Sequence, residues 1–232
     1  MADFKTHITT STVLGIGYGV GANHWYGLPW ESCVLAGALC SVSGMLPDLD
    51  SDTGSPLKES LAFGSAVVSM MLMQRFQDPS VTRETMVLAG VIGYIGIRFG
   101  LGWILKYFTV HRGMFHSLPA CLIAAEIAFL IATGDLNIRL YKSAGVVLGF
   151  MSHLILDELW SFDLMHARIK SSFGTAIKLT GDSTVSNVFT YATLALLSVV
   201  TFNDQIWVNS PPQTQQLHNI ATSIMQRVTT QR

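Results

Sequence analysis

Seven apolar stretches, at about 8–22, 31–46, 59–74, 86–105, 118–133, 144–158 and 187–203, confine the polar residues of this 232-residue chain to short clusters. Half of the residues are hydrophobic and only 12% are charged, against about 25% in an ordinary soluble domain. A soluble fold would need more polar surface than this to cover so many apolar segments. The pattern predicts an all-α, multi-pass membrane protein of about seven helices, embedded over residues 1–203 and followed by a polar tail at 204–232. Several stretches are shorter than the roughly 20 residues that a perpendicular span needs, so some helices are expected to tilt or to enter the bilayer only partway. The stretch 86–105 reads as the best full span, with Arg98 inside it needing to snorkel or to find a partner. The first stretch is the weakest, because Thr9, Thr10, Ser11 and Thr12 open it. The tail, with Pro211-Pro212 and many Gln and Thr, reads as a loop followed by a weakly amphipathic helix.

Other features narrow the function classes. A net charge of -1 gives no reason to expect a nucleic acid partner. Cys33, Cys40 and Cys121 lie in apolar segments without Cys-x-x-Cys spacing, which predicts buried thiols and argues against a disulfide framework or a thiolate zinc site. The opening Met1-Ala2-Asp3-Phe4-Lys5-Thr6-His7 has no basic region leading into an apolar core, so no cleaved signal peptide is expected. Gly15, Gly17, Gly19 and Gly21, like Gly90, Gly93 and Gly96, fall inside apolar helices. They therefore predict close helix packing and not a phosphate loop.

The residues with chemistry fall into four motifs. His7 precedes the first apolar stretch, and Leu46-Pro47-Asp48-Leu49-Asp50-Ser51-Asp52 follows the second. His111-Arg112-Gly113-Met114-Phe115-His116-Ser117 precedes the fifth, and Ser152-His153 with Asp157 closes the sixth. Seven alternating helices bring all four to one membrane face. Alone, each motif has an ordinary explanation: an interfacial histidine, a solvated loop, an anion patch or a buried hydrogen-bonded pair. Together they predict a metal site. His153 and Asp157, four apart, share a helix face; Asp157 would be either a ligand or the group that orients the imidazole. Asp48 and Asp50, two apart, share a side only in an extended segment, which Pro47 favours. His111 and His116 would point about 140° apart on a continuous helix, so both reach one point only if the helix ends or bends between them, a freedom that Gly113 offers.

Candidate ligands are His7, Asp48, His116, His153 and Asp157, with His111 and Asp50 as further ligands or supporting groups. Mixed imidazole and carboxylate donors suit one or two divalent transition ions, with zinc first and manganese or iron as alternatives; calcium would want oxygen alone. Arg112 is suited to hold an anionic substrate group, and Asp50 to serve as general base.

On these residues the chain resembles the YdjM family, inner-membrane-associated proteins assigned as metal-dependent hydrolases. The matching pieces are His7, Leu46-Pro47-Asp48-Leu49-Asp50, His111-Arg112-Gly113 with His116-Ser117, and Ser152-His153 with Asp157, in order over positions 7 to 157. The resemblance implies an integral bacterial or archaeal membrane protein. The family's distant likeness to zinc-dependent phospholipases C implies a phosphoester or lipid substrate. Two positions depart from the family's pattern: Phe115 stands where a small polar residue is common, and Ser51-Asp52 follow Asp50 where His is frequent.

The main expectation is therefore an integral membrane hydrolase whose activated water attacks a phosphoester or lipid-type substrate at the headgroups. The competing expectation is a metal-binding membrane protein without catalysis: a divalent-ion transporter, a sensor or a partner-docking protein. Transport sites favour broken helices near the midplane, whereas these motifs lie at helix ends. Basic residues split between Lys5, Lys58, Lys106, Arg112, Arg168, Lys170 and Lys178 on the motif side and Arg75, Arg83, Arg139, Lys142, Arg227 and Arg232 opposite. This split leans slightly towards a cytoplasmic site.

Overall fold

The computed structural model describes residues 3–50, 55–76, 81–101, 114–160, 162–163, 168–169 and 177–204. Among the described residues it is helical, with seven α-helices that fall in turn on the seven apolar stretches. They are α1 (Phe4–Tyr26), α2 (Trp30–Ser43), α3 (Ser55–Arg75), α4 (Arg83–Ile95), α5 (Leu118–Ile131), α6 (Leu136–Trp160) and α7 (Thr184–Phe202). The other regular pieces are a 3-10 turn at Pro47–Asp50, a π-helical turn at Gly96–Leu101, and a two-residue antiparallel ladder pairing Phe162 with Ile169 and Asp163 with Arg168.

Helix ends are set by local chemistry. Asp3 caps α1 by accepting from the Thr6 N–H at 3.0 Å. Gly27 closes the same helix at φ 64, a left-handed conformation that favours glycine, and the chain reverses there into α2. Asp135 accepts from the Ile138 N–H at 2.9 Å. α6 therefore begins eight residues before the apolar run that marks it in the sequence, and Arg139 and Lys142 lie inside the helix.

Two apolar clusters form the core, one around Leu39, Val42, Val67 and Met71 and one around Cys121, Phe150 and Leu154. α1, α2 and α6 pack together, α5 packs between α6 and α7, and α3 pairs with α4. Backbones approach closely where side chains are absent. Gly15 faces Gly37, Gly19 faces the Cys33 carbonyl, and a Cβ on Gly149 would run into the Cys40 carbonyl and the Ser43 hydroxyl. Gly17 and Gly96, expected to take part in such contacts, meet open space. Much of the interior is small or polar, including Ser11, Ala36, Cys40 and Ser43. Large apolar side chains point outward along α4 (Val87, Leu88, Val91, Ile92, Ile95) and along α7 (Val188, Phe189, Leu196, Val199). Small residues at helix contacts and apolar residues outside suit a lipid solvent. Cys33, Cys40 and Cys121 are free and buried, as expected.

The stretch 86–105 is described as far as Leu101, and over that part α-helix passes directly into π-helix at Gly96. Its described part is the 13-residue α4 followed by the π-helical turn, with the Arg98 guanidinium over the Tyr94 and Phe99 rings at 6.0 and 5.7 Å. Among the described residues, the helix long and apolar enough to cross a membrane is the 19-residue α7; α2, the 61–75 part of α3, and α5 are shorter apolar helices.

Candidate metal centre

Alternation of the helices places the α1 start, the α2 exit, the α5 start and the α6 end together. His7 is four residues into α1, where the Asp3 cap fixes the first turn and the His7 N–H bonds to the Asp3 carbonyl at 3.2 Å. Asp48 is carried by the 3-10 turn after α2. The extended segment expected there is absent: three residues per turn do not put positions two apart on one side. His116 precedes the α5 cap, Ser117, whose hydroxyl accepts from the Ala120 N–H at 3.3 Å and donates to the Met114 carbonyl. His116 is thus outside the helix and free of its geometry. His153 and Asp157 share one face in the last two turns of α6.

These five side chains meet. His7 Nε2 lies 3.2 Å from Asp157 Oδ1, and His153 Nε2 lies 3.6 Å from both Asp157 Oδ2 and Asp48 Oδ1. His116 Nε2 lies 3.5 Å from the same Asp48 oxygen. The His7 and His153 rings stack at 3.7 Å, and the His116 ring stands edge-on to His153 at 5.5 Å. Two overlapping triads, His7–Asp48–His153 and His116–His153–Asp157, each keep their donor atoms within 4.8 Å of one another. His7, His116, His153 and Asp157 are buried, and the Asp48 side chain, 28% exposed, forms the open rim.

One backbone group settles which nitrogen faces the cluster. His153 Nδ1 is 2.8 Å from the Gly44 carbonyl. A carbonyl only accepts, so Nδ1 carries a proton and Nε2 is the nitrogen turned towards the cluster. Asp157 therefore does not back the imidazole from behind; it faces the same point as Nε2. Gly44 can come this close because a Cβ there would strike Ser11. The carbonyl has no signature in the sequence, and glycine at the end of an apolar run was the only signal available.

The donor set fits a divalent cation. The buried Asp157 carboxylate and the partly exposed Asp48 carboxylate are held among imidazoles, and the buried charge needs compensation. Among the described residues, His153 Nε2, both ring nitrogens of His116 and His7 Nδ1 are buried without a hydrogen-bond partner. Burial pushes the Asp48 carboxyl up, but the His116 imidazole beside it and the charges of His153, His116 and His7 outweigh this and hold it below its ordinary value. Carboxylate and imidazole donors at this spacing can take a transition ion.

All five ligands expected from the sequence thus come to one point. His111 and Arg112 lie outside the described residues, as do the Asp50 side chain and Asp52. Ser117 and Ser152, read in the sequence as part of the polar motifs, bond to backbone instead: Ser117 caps α5, and Ser152 donates to the Gly149 carbonyl at 2.7 Å.

The family model described as YdjM inner membrane protein matches residues 1–198, and the chain belongs to that family. No curated protein matches, and no solved structure matches.

Proposed function

We propose that this member of an inner membrane protein family is a metal-dependent hydrolase with one or two transition ions, zinc first, held by His7, Asp48, His116, His153 and Asp157. The observation that supports this most is the meeting of five potential ligands from four separate elements, with imidazole nitrogens left unbonded inside. A bound dication would act as a Lewis acid and lower the pKa of water from about 15.7 towards about 7.

The chain's own residues supply the rest. The Gly44 carbonyl keeps His153 Nε2 turned inward, and an oriented ligand of this kind holds metal more tightly. Asp48, at the open rim, faces the side from which substrate enters. Asp50, two residues on, is suited to take the proton of the attacking water, and Arg112 to pair with the phosphate by a two-pronged contact. Both roles rest on their sequence positions beside Asp48 and His116. Water adds to phosphorus, the ester oxygen leaves, and the product alcohol takes up a proton. A lipid phosphoester is the preferred substrate, since helix ends at a membrane face lie near headgroups.

In this reading several helices cross the bilayer and the site faces the cytoplasm. Arg139 and Lys142 are buried within α6, which removes both from the loop charge opposite the site and strengthens the lean of the basic residues.

The experiment is elemental analysis of detergent-purified protein, wild type beside His116→Ala and His153→Ala. One or two tightly held ions in wild type, lost in both variants, are expected, with hydrolysis of a phosphoester lipid lost in parallel. Wild type that stays metal-free after zinc and manganese are supplied would remove the proposal. Metal held without hydrolysis would leave the non-catalytic alternative.

A further inference from the structure

The opposite end of the bundle holds a second feature, independent of the metal centre. A cavity of about 460 Å³ opens between the start of α2, the end of α3 and the α5–α6 turn, lined by Glu31, Ser32, Leu35, Gln74, Thr133, Gly134 and Lys142. Lys142 is only 4% exposed. Its ammonium donates to the Thr133 carbonyl at 2.9 Å, which occupies one of its three donors. No carboxylate lies within ion-pair reach of it among the described residues. A buried ammonium is ordinarily paired. Here the lysine lines a cavity instead.

The rest of the lining fixes the ligand's chemistry. α2 starts at Trp30 after Pro29, which offers no side-chain cap, so the first N–H groups of a 14-residue helix are left for an anion beside Lys142. Glu31, exposed in the same first turn, has no ion-pair partner among the described residues and puts a negative charge at the cavity mouth. A cation buried at the base and a carboxylate at the rim together match a ligand with a phosphate and an ammonium group. A simple anion would meet the repulsion of Glu31.

The same end carries exposed aromatic side chains at the α1 exit and α2 entry, Trp25, Tyr26 and Trp30, and at the α3 exit, Phe76. Tryptophan and tyrosine concentrate at the level of lipid headgroups, so the cavity sits where a headgroup would be.

We propose that this cavity binds an aminophosphate group, its phosphate on Lys142 and the α2 N-terminus and its ammonium on Glu31, supplied by an aminophospholipid of the leaflet opposite the metal centre. The test is native mass spectrometry of the full-length protein in detergent. It is titrated separately with phosphatidylethanolamine, phosphatidylglycerol, phosphatidylcholine and soluble O-phosphoethanolamine, for wild type, Lys142→Met and Glu31→Gln. Wild type is expected to retain phosphatidylethanolamine in preference to the other two lipids. Lys142→Met should weaken that binding by about tenfold or more, the value of one charge-assisted hydrogen bond. Glu31→Gln, on an exposed turn where folding is not at stake, should shift the preference towards phosphatidylglycerol. Displacement of the lipid by O-phosphoethanolamine would assign the same site to a soluble aminophosphate. Equal retention of all three lipids, or a preference unmoved by Glu31→Gln, would overturn the proposal, whether or not Lys142→Met folds.

Discussion

α6 carries buried ionisable side chains at both of its ends, and the two ends treat them differently. Arg139, in the first turn, is satisfied. Its Nε and Nη2 donate to the Phe129 carbonyl at 3.1 and 2.9 Å, and Nη1 and Nη2 pair with the two Asp204 oxygens at 2.9 and 3.0 Å. Phe129 lies in the last turn of α5, where carbonyls lack helical partners and a cation is favoured; its ring also faces the guanidinium at 4.2 Å. Arg75 joins Asp204 from α3 at 3.3 Å. About 21 Å along the helix axis, at 1.5 Å per residue, lie His153 and Asp157, where His153 Nε2, His7 Nδ1 and both nitrogens of His116 have no hydrogen-bond partner among the described residues. Burial and charge are common to both ends, so neither marks a site. Unused bonding capacity is the difference, and it separates a staple that joins α3, α5, α6 and α7 from a cluster whose donors could hold a metal ion.

Asp204→Ala should break that comparison most severely. It leaves the Arg139 guanidinium buried without its carboxylate, which destabilises by about 3–5 kcal/mol. A large fall in the detergent melting temperature is expected, with metal content per folded molecule unchanged. Metal loss in the folded fraction would mean that the two ends are one coupled unit. Gly149→Ala should have a smaller effect, and at the other end. Its Cβ would push against the Cys40 carbonyl and Ser43, an overpacking of about 1–3 kcal/mol. The strain falls between α6 and the α2 exit, where the Gly44 carbonyl holds His153. Metal affinity measured by chelator competition should therefore drop by about 10–100-fold, the usual effect of disturbing the group behind a ligating histidine. Unchanged affinity would show that the Gly44 contact does not orient the ring.

The two ends also differ in how far the sequence reveals them. Each metal-ligand candidate lies in a short polar motif at the end of an apolar run, and helix alternation alone brings such motifs to one face. His7, Asp48, His116, His153 and Asp157 were legible for that reason. Arg139 and Lys142 were not, because the apolar run of α6 begins after them and the Asp135 cap that draws them into the helix is a weak local signal. Tertiary pairing with Asp204, 65 residues away, has no local signature at all. The change from α- to π-helix at Gly96 was likewise invisible, since apolar content does not report hydrogen-bond register. The 3-10 turn at Pro47–Asp50 shows that proline permits an extended segment without enforcing it.

Ser117 offers the finest test, because sequence and structure assign it different work. In the sequence its hydroxyl belongs to the His111–Ser117 cluster and stands beside a candidate ligand. In the structure that hydroxyl is turned to backbone, accepting from the Ala120 N–H and donating to the Met114 carbonyl. A cap of this type contributes about 1 kcal/mol. Ser117→Ala should therefore lower stability modestly, and Ser117→Asn should restore most of it, since both side chains cap well while differing in chemistry. Because His116 lies just before the cap, fraying of the α5 start would act on the metal centre only through that one ligand, and metal stoichiometry should hold in both variants. Loss of metal in Ser117→Ala that Ser117→Asn fails to rescue would move the serine from the scaffold into the centre. The contrast would then have to be redrawn, with the α5 start belonging to the site and not to the frame that carries it.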